Sequence, residues 1–218
     1  MLFNRRSIIV GGVCSVYLPL GAEASASPRS DTLWRVSGKV ALQVEDYLST
    51  MPTANVGRGP RIFILSSSLC PFCQKMDTLY PGGIPDFQAR YIAYPLIERE
   101  SGAVAQVWKN PTYSNYRQFM AGQYRMSPNL PYRVPSSESE FRRIINPSSD
   151  IDVYTKHKMK LGAIFYHFVA AENVTGDFGT PTPSFFIKFD NEVWWLRSGL
   201  AGIDIVRDLL KKYPGRIR

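Results

Sequence analysis

The sequence predicts an α/β fold in two halves, β-α-β and then β-β-α, with a block of helices between them. Three observations carry this. A short apolar run, Ile62–Leu65, and a second one, Arg90–Pro95, flank a helical stretch. Two strand-like runs near the C-terminus, Ser184–Phe189 and Glu192–Arg197, are separated only by Asp190-Asn191, a hairpin signal. Between the halves, Glu98–Glu172 reads as separate helical stretches, with Val104, Val107 and Trp108 apolar in the first and Leu161, Ile164, Phe165 and Phe168 in the last.

The chain has 218 residues, 44% hydrophobic and 20% charged, which is enough for one core and short for two large domains. Its formal charge is +8, but Lys and Arg are scattered with no run longer than two. No nucleic-acid motif accompanies the charge, so the reading is a soluble basic protein without a nucleic-acid partner.

The first residues predict a secretory leader over 1–26. Arg5 and Arg6 form a basic start, Ser7–Leu20 carries no charge, and Ala22-Glu23-Ala24-Ser25-Ala26 supplies small residues at alternating positions. The apolar stretch is short and broken by Gly11, Gly12 and Pro19, so no stable membrane span is expected after cleavage. Retention as an anchor is the alternative. Cleavage removes Cys14 and leaves only Cys70 and Cys73.

Residues 27–58 are expected as an N-terminal helix and linker. Asp31 caps a helix to about Met51 whose stripe is Leu33, Val36, Val40, Val44, Tyr47 and Met51, packed on the core or used for self-association. Pro52–Pro60, with its Gly and Asn, breaks it. The main domain is expected over 59–218. After the strand Ile62–Leu65 and a small polar turn, a helix runs from Cys70 to about Tyr80 and ends at Pro81-Gly82-Gly83. Pro71 suits its first helical position, where no N–H is needed. The helical insertion, about 98–177, comprises Glu98–Lys109, Ser114–Gln123, a helix capped by Ser136–Glu140, and Asp152–Glu172, with Met126–Pro135 as a loop. Phe178–Pro183 is a turn, and Ile203–Tyr213 an amphipathic helix facing inward with Ile203, Val206, Leu209 and Leu210.

Cys70-Pro71-Phe72-Cys73 is the feature that carries chemistry. Two cysteines one helical turn apart can close a small ring. At a helix start, free N–H groups and the positive dipole end favour the Cys70 thiolate. Structural zinc would need four ligands, and His157 and His167 lie ten positions apart, outside the usual spacing of roughly three to five intervening residues. Hence no metal and no cofactor are expected. A pair this close also restricts the unfolded chain little, which argues against a purely structural disulfide.

The stretches FILSSSLCPFC, ARYIAYP and GTPTPSFFIKF together resemble thioredoxin-fold proteins. The likeness is to the catalytic domain of the bacterial periplasmic disulfide isomerases DsbC and DsbG, and comparably to thioredoxin-like proteins of conjugative and other secretion systems. It covers roughly Gly59 to Tyr213. The resemblance implies a thioredoxin-like fold with an inserted helical block, a periplasmic location, and thiol–disulfide exchange with cysteine-containing protein substrates, with the isomerase, oxidase and reductase directions all open. It implies Cys70 as the attacking thiolate, Cys73 as the resolving thiol, and Pro71 and Phe72 as the residues that tune the potential. Thr182 and Pro183 would form a substrate-docking turn with a cis peptide bond; Pro183 is preferred over Pro181 because it abuts the strand Ser184–Phe189. A membrane redox partner is expected. Those isomerases carry an N-terminal dimerisation domain, whereas about 30 residues stand between the leader and the core here. The helix Asp31–Met51 is the only segment available as a substitute homodimer contact, its other reading being a helix packed on the core. The competing class is a non-enzymatic thioredoxin-fold scaffold or chaperone module of an envelope or secretion complex.

Overall fold

The computed structural model describes residues 33–124, 130, 135–171, 182–197 and 199–217. The predicted leader with Cys14, the Asp31 cap, most of the Met126–Pro135 loop and Pro181 lie outside them. The first half contains β1 (Leu33–Ser37), α1 (Gly38–Ser49), β2 (Ala54–Gly57), β3 (Arg61–Ser66), α2 (Pro71–Leu79) and β4 (Gln88–Ala93). The helical block is α3 (Ser101–Lys109), α4 (Tyr113–Met120), α5 (Glu138–Ile145) and α6 (Asp150–Ala171). The chain closes with β5 (Ser184–Phe189), β6 (Glu192–Leu196) and α7 (Ala201–Lys212).

One sheet runs in the order β1-β6-β5-β3-β4-β2. β3 and β4 are parallel and joined through α2, while β5 is antiparallel to both β3 and β6. This is the β-α-β plus β-β-α arrangement of the thioredoxin-like fold. Directly opposed residues share a face. Ile64 lies opposite Tyr91 and Phe185, and Phe185 opposite Leu196. That face receives α7, where Gly202 abuts the Phe185 ring, and α4, whose Tyr116 stacks on Tyr91 at 4.6 Å. On the other face Phe63, Phe186, Trp195 and Trp34 lie opposite one another in turn. There α6 packs Phe165 and Phe168 against Phe186 and Trp195, at centroid separations from 5.0 to 6.2 Å. The sheet is therefore covered on both sides, which is why β3, β5 and β6 read as nearly continuous apolar runs.

The N-terminal stretch departs from its expectation. Leu33–Ser37 is a strand, paired with β6 from Leu33↔Leu196 to Ser37↔Glu192. Trp34 and Val36 are buried and their neighbours are not, a period of two. Trp34 meets Trp195 edge-on at 5.1 Å. That edge-on contact and the ladder outweigh the three-and-four spacing that Leu33 and Val36 share with the helix. Gly38, at φ +58, turns the chain out of the strand into α1, a conformation glycine adopts readily. The α1 helix then buries Ala41, Val44 and Leu48 toward α6, β1 and β6.

The expected linker contains β2, an edge strand antiparallel to β4. Gly57, at φ +84, passes so close to Phe87 that an added Cβ would sit 2.3 Å from its carbonyl oxygen. The segment 33–58 therefore supplies both edges of the sheet as well as the helix α1, which is shorter than expected. The α5 cap forms as the sequence suggests: the Glu140 N–H donates to Ser137 Oγ, and the Glu140 carboxylate accepts from the Ser136 N–H. No helix among the described residues is long and apolar enough to cross a membrane.

Candidate active site

The central strand β3 buries Ile62 through Ser66 and delivers the chain to the sheet's C-terminal edge. Ser67 and Ser68 follow, both buried, and Cys70 occupies the N-cap of α2 in extended conformation, with Pro71 as the first helical residue. An N-cap is normally filled by a side-chain oxygen that accepts from the first free N–H groups. Here the N-cap residue is Cys70, whose side chain makes no cap hydrogen bond, and the Phe72 and Cys73 N–H groups at the head of the helix favour its thiolate. No acidic residue stands in the first turn of α2 to compete for the positive end of the helix.

Cys70 and Cys73 are free thiols in this structure, both buried. The hydrogen bond from the Cys73 thiol is the strongest influence drawing the Cys70 pKa down, from 9.0 to about 5. Burial opposes the shift; the Thr182 side chain and the Cys73 and Phe72 N–H groups reinforce it. Cys73 moves the other way, held as a thiol because its proton is committed to Cys70 and because it is buried. The Ser67 N–H works against that by favouring the Cys73 thiolate. The pair thus holds one ionised sulfur and one protonated sulfur side by side.

The Thr182–Pro183 peptide is cis. β5 runs antiparallel to β3 with Leu65 opposite Ser184, which brings residue 182 to the mouth of the cysteine turn. The protonated Cys70 thiol donates to the Thr182 carbonyl oxygen at 3.0 Å. That carbonyl favours the thiol, but the donors around the sulfur prevail. Phe72 projects outward, 58% exposed, beside the exposed Pro71. The structure thus gathers all six residues singled out in the sequence: Cys70, Pro71, Phe72 and Cys73 on one side, Thr182 and Pro183 on the other.

Glu100 is a residue the sequence reading passed over. It is fully buried. Its carboxylate accepts from Ser67 Oγ at 2.8 and 3.1 Å, from Ser68 Oγ at 2.6 Å, and from the N–H groups of Ser68 at 3.1 Å and Leu96 at 2.7 Å. The available signal was the run Ser66-Ser67-Ser68 between an apolar strand and the first cysteine. Buried hydroxyls need acceptors. Among the described residues, no group of three His, Cys, Asp or Glu side chains is arranged to hold a metal ion.

No protein-family model and no curated protein sequence matches the chain. Among solved structures, BcfH from Salmonella enterica Typhimurium aligns at 16% identity and a TM-score of 0.42, over 80% of this chain and 79% of that one. The catalytic domain of Proteus mirabilis ScsC aligns at 14% identity and 0.40, over 80% and 96%. The thiol-disulfide exchange protein alpha-DsbA2 from Wolbachia pipientis aligns at 14% identity and 0.37, over 79% and 93%. By its own strand order and register, this chain has a thioredoxin-like fold with a helical block inserted between its halves, and a Cys-Pro-Phe-Cys dithiol at the head of α2.

Proposed function

We propose that the protein is a periplasmic thiol–disulfide oxidoreductase acting on cysteine-containing protein substrates. The observation that carries the reading is the state of Cys70: a sulfur at a helix start, depressed to about 5, beside the backbone of Thr182. A thiolate is the nucleophile of disulfide exchange. Cys70 attacks one sulfur of a substrate disulfide, and the electron pair of the broken S–S bond leaves on the other substrate sulfur. Cys73 then loses its proton and attacks Cys70, which forms the Cys70–Cys73 disulfide and releases the second substrate thiolate. Reversed, the same steps oxidise a substrate dithiol. The Thr182 carbonyl gives an extended substrate segment a backbone acceptor next to the reacting sulfur, as in strand addition.

Stabilising the Cys70 thiolate stabilises the reduced form, which makes the disulfide form an electron acceptor. Oxidation of substrate dithiols is the direction this reading takes, with a membrane redox partner reoxidising the pair. Equilibration with glutathione tests it. A potential near about −120 mV accords with an oxidant, and one near about −270 mV reverses the direction.

The assignment itself is tested with two variants. Cys70→Ser loses all exchange activity, whereas Cys73→Ser accumulates mixed disulfides with substrate. Insulin reduction or dithiol oxidation that survives in Cys70→Ser overturns the reading.

A further inference from the structure

Exchange between two cysteines and a substrate does not require a buried carboxylate, yet Glu100 lies beneath the cysteine turn with no exposed surface. It belongs to the 3-10 turn Glu98–Glu100 that leads into α3. Its hydrogen-bond partners among the described residues are neutral: two hydroxyls and two backbone N–H groups. A buried charge held this way is costly unless its acceptor capacity is used.

The two backbone donors are fixed, and they go to different oxygens: Ser68 N–H to Oε1 and Leu96 N–H to Oε2. Only a carboxylate presents an acceptor at both positions; an amide would set its NH2 against one of them. The clamped turn in turn serves both cysteines. The Ser67 carbonyl accepts from the Cys70 N–H at 3.3 Å, and the Ser68 carbonyl from the Gln74 side chain of α2 at 2.6 Å. The Ser67 N–H favours the Cys73 thiolate.

We propose that Glu100 is a positioning residue for the resolving step, acting through Ser67 and Ser68 to hold the serine turn against the head of α2, which carries Cys73. This rests on the oxidoreductase reading and deepens it. In that step Cys73 gives its proton to solvent and attacks Cys70 of the mixed disulfide. The bond between Cys70 and the substrate sulfur breaks, and its electron pair leaves on the substrate. The Cys70–Cys73 bond forms, so the enzyme pair is oxidised by two electrons and the substrate disulfide reduced. The groups that stabilise the Cys70 thiolate belong to α2 and to Thr182, not to the serine turn. Loss of the clamp therefore slows resolution rather than attack.

The test uses the reduced protein and its Glu100→Gln and Glu100→Ala variants, mixed with glutathione disulfide and acid-quenched at intervals. Intact mass reports the glutathionylated species, whose rise measures attack by Cys70 and whose decay measures resolution by Cys73. The expected result is a rise within about twofold of wild type and a decay at least about tenfold slower, the scale of losing a buried charged hydrogen-bond partner. A Ser67→Ala/Ser68→Ala double variant keeps the carboxylate and both backbone bonds. It shows the same selective slowing to a smaller degree, and it decides the matter if the Glu100 variants do not fold by circular dichroism. An unchanged decay, or equal slowing of both steps, overturns the positioning role. A wild-type protein that never becomes glutathionylated is a separate result, and it overturns the oxidoreductase reading together with this inference.

Discussion

The sulfur of Cys70 lies 3.0 Å from the carbonyl oxygen of Thr182, a neighbour 112 positions further along the chain. One antiparallel pairing, β3 against β5, produces this contact, because Leu65 and Ser184 are opposed at its end. A buried sulfur with a buried backbone acceptor beside it is sensitive to every donor around it, and the first two predictions follow from that.

The donors rank in order. Replacing Cys73 by Ala removes the strongest stabiliser of the Cys70 thiolate, so it raises the Cys70 pKa more than Thr182→Ala does. Thiolate absorbance at 240 nm across a pH series measures both. A larger rise in Thr182→Ala than in Cys73→Ala would sink the ranking.

Stability of the reduced protein depends on pH through the same group. Cys70 titrates at about 5 in the fold and near 9.0 when unfolded, so the unfolded chain binds the extra proton between those values. Its contribution is complete above about 9 and is lost as pH falls through about 5. Cys73 stays protonated in both states over pH 4.5 to 8, roughly, and the oxidised protein has no thiolate to titrate. The melting temperature of the reduced form should therefore drop relative to the oxidised form as pH goes from about 8 to 4.5. A constant difference between the two forms contradicts the depressed thiol.

His157 gives a second acid-sensitive term, in the helical block. It is buried with the Trp108 ring 5.4 Å away, and burial first, then Lys160 and Lys156, lower its pKa from 6.5 to about 3. The unfolded chain takes up a proton below 6.5 that the folded chain refuses. Stability therefore falls with acidification from 6.5 toward 3, by up to about 1.4 kcal/mol per pH unit. Urea unfolding of His157→Phe at several pH values should show a shallower slope than wild type over that window. Parallel slopes would remove His157 from the account.

Gly202 is a packing residue. A Cβ there would sit 2.3 Å from the Phe185 ring, on the sheet face that carries α7. Gly202→Ala must push α7 or the ring away, at a cost of about 1–3 kcal/mol despite the better helix propensity of Ala. Denaturant midpoints measure it, and a stabilised variant contradicts the contact.

Much of this architecture is legible from local pattern. β3, β4, β5 and β6 announce themselves as apolar runs because both faces of the sheet are covered, and the β5–β6 hairpin turn is marked by Asp190-Asn191. The cysteines are visible as a motif, and Pro183 because it abuts a strand. Leu33–Ser37 is harder. Val36 and Val40 keep helical spacing across a strand-to-helix junction, and the burial of Trp34 is decided by Trp195, far away in sequence. The edge strand Ala54–Gly57 is short and set among Pro and Gly, so its identity depends on β4. Glu100 is the least legible. A glutamate at a helix start looks like an ordinary solvent-facing residue, and only the folded turn shows that Ser67, Ser68 and a distant carboxylate form one unit.

The pairing of β1 with β6 also has a bearing on synthesis. A chain that emerges N-terminus first presents Leu33–Ser37 long before its partner Glu192–Leu196 exists. The same C-terminal hairpin carries Thr182 into place, so the cysteine pair leaves the ribosome without its facing turn. Both closures wait for one event, the arrival of β5 and β6. Nascent protein therefore passes through an interval in which its reactive thiols are formed but unguarded, and in which its first strand is an open edge.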